Sequence, residues 1–104
     1  MIRSVLTMQV REGREEEFRR VWESHAPRIA TRPGHRGQSF AAREGHPRTY
    51  VITGDWADRQ ALADFESSPD RRALSAQLDP LRESASKTVL EVLVTVTASQ
   101  GAVA

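Results

Sequence analysis

The sequence predicts one α+β domain, a four-stranded antiparallel sheet backed by helices in the order βαββααβ. Several segments show the alternation of side chains or the β-branched and aromatic composition that is typical of strands. Between the first two of them, apolar residues recur every three to four positions, which predicts an amphipathic helix. A length of 104 residues allows a single domain. We assign it to residues 1–97 and expect residues 98–104 to be a flexible tail.

The first strand and the first helix have the clearest patterns. In Ile2–Val10 the side chains alternate, and Glu12-Gly13 supplies the turn that follows. The helix is predicted from Arg14 to about Thr31, and its three consecutive glutamates near the start suit the positive end of the helix dipole. Its apolar stripe consists of Phe18, Val21, Trp22, His25 and Ile29.

The middle of the chain predicts a hairpin followed by a short helix. Gly37–Glu44 and Tyr50–Trp56 are the expected strands, with the turn between them at Gly45–Arg48. Asp58 is positioned to cap the next helix, whose apolar residues are Ala61, Leu62 and Phe65.

Ser68 and Pro69 have the residue types that begin a further helix, Ser as the cap and Pro at the first helical position. Pro80 should kink or restart that helix. The last strand is predicted over Thr88–Thr97, where apolar residues lie on both faces. Because the chain's own helices cover only one face of the sheet, we expect a second copy to cover the other, which gives a homodimer.

The composition is that of an ordinary globular protein, with 38% apolar and 28% charged residues. A net charge of +1, with both signs interspersed, argues against nucleic-acid binding. No apolar run is long enough to span a membrane and the N-terminus does not resemble a signal peptide, so we expect a cytoplasmic protein. Cysteine is absent, and the three histidines have no regular spacing, so no metal site is expected.

A set of short motifs follows a fixed order along the chain: Glu12-Gly13, Phe18, Trp22, Pro33-Gly34, Tyr50-Val51-Ile52, Trp56, Ala61, Phe65, Ser68-Pro69, Leu74 and Leu81. Together these motifs resemble the antibiotic biosynthesis monooxygenase superfamily over roughly residues 2 to 93. The resemblance implies ferredoxin-like subunits that pair into a dimeric α+β barrel, each with a pocket between helices and sheet.

The resemblance implies several activities, because such proteins include haem-degrading enzymes, polyketide cyclases and oxygenases that form quinones without flavin or metal. The Asn, Trp and His of haem-degrading members fall here on Leu6, Phe65 and Ser75, so haem degradation is not expected. Of the residues that quinone-forming members use, only Trp56 is present. Their Asn, Tyr and Arg fall on Ile52, Leu62 and about Ser75.

A cofactor-independent oxygenase needs a base, hydrogen-bond donors for the developing anion and a dry pocket. His25 is the candidate base. Trp56 and Tyr50 are candidate donors, and Arg43 is a candidate anion-stabilising residue. Each has a structural alternative: Trp56 and His25 as core residues, Tyr50 at the rim, and Arg43 as a surface charge.

For substrate contacts the sequence offers aromatic walls and hydroxyl groups, namely Trp22, Phe40, Phe65, Ser39 and Ser75. The first hypothesis is a cofactor-independent monooxygenase that converts an aromatic polyketide-like anthrone or hydroquinone to a quinone with O2. A cyclase of the same barrel fold and a non-catalytic dimeric binding protein are the alternatives.

Overall fold

The structure is a computed structural model and describes residues 1–99. Its elements confirm the predicted α+β fold and the predicted order. They are β1 (Ile2–Val10), α1 (Glu15–Ile29), β2 (His35–Arg43), β3 (His46–Trp56), α2 (Arg59–Glu66), α3 (Pro69–Leu78), a short 3-10 helix (Asp79–Leu81) and β4 (Arg82–Glu91).

The four strands form one antiparallel sheet in the order β2-β3-β1-β4. In the two central strands Ile2 lies opposite Trp56, and Leu6 lies opposite Ile52. Because successive side chains point to opposite faces, these residues share one face, here called the inner face. It includes the fully buried Met8, and all three helices pack against it.

The core is a single cluster between the inner face and the helices. Phe18 and Ile29 anchor α1 in it, as the predicted stripe required, and both are less than 5% exposed. Burying a side chain of this size contributes about 1.5–3 kcal/mol. The other buried members are Met8, Val10, Trp56, Leu62, Leu74, Leu78 and Leu81.

Two of the three α-helices begin as their sequences predicted. The Asp58 carboxylate accepts a hydrogen bond from the Ala61 backbone N–H at 2.9 Å. The Ser68 hydroxyl accepts one from the Arg71 backbone N–H at 3.2 Å. Each such cap typically contributes about 1 kcal/mol, and together they fix the directions in which α2 and α3 leave the sheet.

The last strand differs from its prediction. It covers Arg82–Glu91, not Thr88–Thr97, and pairs with β1 from Arg82 opposite Val10 to Glu91 opposite Ile2. The chain enters the sheet directly after Leu81, so the polar residues 82–87 take the pairing positions along β1. An edge strand satisfies its backbone in this way without an apolar sequence. Residues 92–99 have no regular structure, and Leu93, Val94 and Val96 are at least 80% exposed.

The β2–β3 hairpin is tighter than predicted. β2 begins at His35, β3 begins at His46, and only Glu44-Gly45 connects them. Gly45 has φ +80°, which suits a two-residue turn. Of the predicted tail, residues 98 and 99 have no regular structure, and residues 100–104 lie outside the described residues. No helix within residues 1–99 has the length and apolar character needed to cross a membrane.

Candidate functional site

An apolar cavity of about 60 Å³ lies between the inner face and the helices. Two connections cross the sheet, β1 to β2 through α1 and β3 to β4 through α2 and α3. Both place their helices on the same side of the sheet, and the cavity lies between these helices and the strands. Its apolar walls come from the sheet and from all three helices: Leu6, Trp22, Ile29, Ile52, Trp56, Leu62, Phe65, Leu74 and Leu78. Its polar lining side chains are Ser4, His35, Gln38, Glu66, Arg71 and Lys87.

Trp56 is the largest side chain that lines the cavity and is fully buried. It is the last residue of β3, is 2% exposed, and stacks on Phe65 with 4.9 Å between ring centroids. Its indole Nε1 is buried and has no hydrogen-bond partner among the described residues. A buried donor without a partner costs about 1–3 kcal/mol, which a ligand oxygen beside it would recover. Gly54 leaves room there, since a Cβ at Gly54 would lie 3.2 Å from Nε1.

His35 lies directly opposite Trp56 in the sheet register. Its ring stands nearly perpendicular to the indole, with 5.1 Å between the centroids, and its Nε2 is also buried without a partner among residues 1–99. Burial lowers the pKa of His35 below 6.5, and the nearby Gln38 side chain and Asp55 carboxylate partly oppose this. The imidazole is therefore neutral near pH 7 and can accept a proton.

Charged side chains also line the cavity. The Lys87 ammonium pairs with the Glu66 carboxylate, and the partly buried Arg71 lies beside them. Burial is the main cause that lowers the pKa of Arg71, and Arg82 adds to the effect. These three residues also line an open groove of about 600 Å³, here called the mouth groove, together with Arg72, Ser75, Ala76 and Asp79.

A second groove, here called the aromatic groove, lies between α1 and the hairpin end of the sheet. Its volume is about 440 Å³, and it is lined by Arg19, Trp22, Glu23, Phe40, Ala42 and Tyr50. The Phe40 ring contacts Trp22 and Tyr50 at centroid distances of 5.2 and 4.9 Å. Burial raises the pKa of Tyr50, so its hydroxyl remains protonated at neutral pH. Trp22 lines both this groove and the cavity.

The site residues predicted from the sequence do not all lie in one place in the structure. Trp22, Trp56 and Phe65 line the cavity. Phe40 and Tyr50 lie in the aromatic groove, and Ser75 lies in the mouth groove. His25, Arg43 and Ser39 line none of the three spaces.

The positions of His25, Ser39 and Arg43 explain why none of them lines these spaces. His25 is partly buried on α1, but the residues of that helix that reach the cavity are Trp22 and Ile29. Ser39 points to the outer face, where its hydroxyl hydrogen-bonds the Thr53 hydroxyl. Arg43 is exposed at the end of β2, beside the hairpin turn.

The sequence predicts that His35 lies in a loop and does not single out Gln38, Arg71 or Lys87. Register, which the sequence does not state, sets His35 against Trp56. Gln38 lies on the inner face, where its amide donates to the Ala26 carbonyl at 2.8 Å. Within residues 1–99 no group of three or more His, Asp or Glu side chains is placed to hold a metal ion.

One comparison with known proteins identifies a family. A family model described as antibiotic biosynthesis monooxygenase matches residues 1–77. No curated protein sequence matches significantly.

Among solved structures, SnoaB of Streptomyces nogalater, a cofactor-independent oxygenase, superposes with a TM-score of 0.82 at 20% identity, covering 93% of this chain and 97% of SnoaB. A Deinococcus radiodurans protein assigned to the antibiotic biosynthesis monooxygenases superposes with a TM-score of 0.85 at 16% identity. The match covers 95% of this chain and 99% of that protein. A Nitrosomonas europaea protein with the same assignment superposes with a TM-score of 0.84 at 13% identity. The match covers 90% of this chain and 100% of that protein. At these identities the likeness establishes the fold.

Proposed function

The chain belongs to the antibiotic biosynthesis monooxygenase family, and on that premise we propose that it is a cofactor-independent oxygenase that converts an aromatic polyketide-like anthrone or hydroquinone to a quinone. One observation carries the proposal. His35 Nε2 and Trp56 Nε1, both buried and both without a partner among the described residues, belong to side chains that line the same apolar cavity. A neutral base beside a desolvated N–H donor is what deprotonation of such a substrate requires.

The proposed reaction of an anthrone consumes one O2 and releases one water. The base removes a proton from the ring CH2 and leaves an electron-rich phenolate. This anion passes one electron to O2, and the resulting radical and superoxide combine at that carbon. After protonation, the hydroperoxide loses its remaining C–H proton as the O–O bond breaks, which gives the quinone carbonyl and water.

In this proposal His35 is the base, in place of the His25 that the sequence suggested. Its lowered pKa keeps Nε2 free to accept the proton at neutral pH. The Trp56 N–H donates to the phenolate oxygen, and the low polarity of the cavity strengthens that hydrogen bond. Trp22 and Phe65 provide flat walls for the rings.

A tricyclic substrate needs more room than the cavity alone provides. Pockets for molecules of this size usually measure about 300–1,000 Å³, whereas the cavity measures about 60 Å³. The mouth groove shares Glu66, Arg71 and Lys87 with the cavity. We therefore propose that the reacting ring enters the cavity and that the rest of the substrate extends into the mouth groove after the Lys87–Glu66 pair moves aside.

A homodimer is part of the proposal. Val5, Val51 and Leu90 lie on the outer face of the sheet, and no helix among the described residues covers that face. Packing this face against its copy would bury apolar area in both chains, and a domain of this size benefits from such extra burial.

The test is incubation of the pure protein with tricyclic anthrones in air, after removal of flavin and metal ions. We expect quinone formation above the spontaneous rate and none in an anaerobic sample. No quinone above background with several anthrones would overturn the oxygenase. Turnover that is equal with and without air would favour the cyclase.

A non-catalytic binding protein is the second candidate. Leu62, where quinone-forming relatives are expected to carry a Tyr, is 3% exposed and packs in the core. A binding protein would be stabilised by an aromatic ligand, and His35→Gln and Trp56→Phe would change no reaction.

A further inference from the structure

Arg71 occupies an unusual position for an arginine. It lies in the first turn of α3, partly buried, where it lines both the cavity and the mouth groove. Within residues 1–99 its guanidinium makes no hydrogen bond and no ion pair, although its backbone N–H is held by the Ser68 hydroxyl. Buried charges are normally paired, so this side chain has unused capacity to bind an anion.

The acidic groups around Arg71 already have partners. Glu66 pairs with Lys87, and Asp79 pairs with Arg82. The mouth groove is lined by three cations, Arg71, Arg72 and Lys87, but by only two carboxylates. The local charge therefore favours an anionic ligand at Arg71 over an acidic side chain of the protein itself.

We propose that Arg71 is a carboxylate-binding residue and that the substrate is an aromatic carboxylic acid whose acid group lies in the mouth groove. The planar guanidinium presents paired N–H donors that match the two oxygens of a carboxylate. Lys87 is neutralised by Glu66, and the Arg72 guanidinium donates to the Ser67 carbonyl. Arg71 is therefore the groove cation whose guanidinium has no partner within residues 1–99, and it fits one monovalent anion. The apolar cavity next to it takes the ring. The identity of the substrate rests on the proposed oxygenase, whereas the binding subsite stands on the geometry alone.

The probes are 2-naphthoate and its neutral analogue 2-naphthamide, which differ only at the acid group. Binding is followed by calorimetry at pH 7.5 and low ionic strength. We expect the wild-type protein to bind the acid roughly tenfold more tightly than the amide, as for a charge-assisted hydrogen bond. Equal affinity for the two probes, or binding of neither at millimolar concentration, would overturn the proposal.

Arg71→Gln should abolish this preference, and Arg71→Lys should retain part of it. The matched control is Arg72→Gln, because Arg72 is adjacent, carries the same charge and donates to the Ser67 carbonyl at 2.8 Å. Arg72→Gln should keep the preference. If both Gln variants lose it equally, general electrostatics explains the binding and the subsite is wrong. Melting temperatures show whether each variant is folded.

The outcome separates the subsite from the oxygenase. If anthrones yield no quinone while the Arg71-dependent preference for naphthoate remains, the reaction is wrong and the subsite holds. If neutral anthrones are oxidised but naphthoate has no advantage, the oxygenase holds and the subsite is wrong.

Discussion

The His35 imidazole stands edge-on to the Trp56 indole, with ring planes at 85° and centroids 5.1 Å apart. The two residues are paired across β2 and β3, so backbone hydrogen bonds fix their separation. Each keeps one buried ring nitrogen without a partner within residues 1–99. In the proposed reaction such a rigid pair would be preorganised, because neither ring would have to be repositioned when a substrate binds.

His35→Gln should lower the rate of quinone formation about 100-fold or more, because a positioned general base contributes roughly 10²–10⁴. Glutamine keeps a polar side chain of similar reach but cannot accept the proton. The matched control is His25→Gln, which changes a histidine that does not line the cavity. The measurement is kcat/KM with an anthrone in air. A large loss in the His25 variant with none in the His35 variant would contradict the assignment.

The stability of the protein should fall as the pH drops below about 6.5, and His35 should contribute to this fall. Burial lowers the pKa of folded His35 below its unfolded value. The unfolded state then binds more protons in that range, so the stabilisation present above pH 6.5 is lost as the pH falls toward the folded pKa. The Gln38 side chain and, to a smaller extent, the Asp55 carboxylate oppose this lowering of the His35 pKa.

Urea denaturation at pH 7.5 and pH 5.5 measures this dependence. The loss of unfolding free energy between the two pH values should be smaller in His35→Gln than in the wild type. Since carboxylates can also titrate near the lower pH, the difference between the two proteins is the relevant quantity. An identical pH dependence in both proteins would show that His35 is not held in its neutral form.

The fold was largely predictable because it depends on patterns that the sequence displays directly. The stripe through Phe18 and Ile29 predicts α1, and the residue types at Asp58 and Ser68 predict two helix starts. The last strand was misplaced because Val92–Thr97 has the better strand composition, whereas pairing with β1 begins at Arg82, right after the 3-10 helix. Chain geometry outweighed local preference at that position.

For the candidate site, the sequence indicates only the aromatic residues that line the cavity. Trp56 ends a recognisable strand and Trp22 lies on a recognisable stripe, so both could be placed on the inner side. His35 required the register of β2 against β3, and its strand was expected to begin two residues later. To predict Arg71 as a lining residue, one would need to know how α3 is rotated about its axis relative to the cavity. Neither quantity follows from hydrophobic periodicity.

A lysine at Val51 should prevent dimer formation. Val51 lies on the outer face, opposite Thr7 and Ala41 in the neighbouring strands. Burying an unpaired charge between two sheets costs several kcal/mol, which would exceed the contribution of the valine contacts. The control Ala63→Lys adds the same charge to an exposed position of α2. Analytical ultracentrifugation should show dimers for the wild type and the control, and monomers for Val51→Lys. A monomeric wild type or a dimeric Val51 variant would contradict the proposed interface.

Gly34 should tolerate alanine less well than Gly45, although both have nearly the same backbone conformation, with φ of +81° and +80°. The left-handed conformation alone costs a non-glycine residue about 1–2 kcal/mol, and both variants lose this amount. At Gly45 a Cβ would meet no atom within 4 Å, whereas at Gly34 it would lie 2.6 Å from the Ala61 Cβ.

Because Gly34 also accepts a hydrogen bond from the Ala57 N–H at 2.7 Å, it holds the segment that follows Trp56 against the start of β2. Gly34→Ala must push α2 away from this junction and disturb the His35–Trp56 contact, whereas Gly45→Ala leaves it intact. We therefore expect Gly34→Ala to be destabilised by at least about 1 kcal/mol more than Gly45→Ala in urea denaturation. It should also bind aromatic probes more weakly, with Gly45→Ala unchanged. Equal stability of the two variants would show that α2 shifts at no cost and that this close approach does not position the cavity.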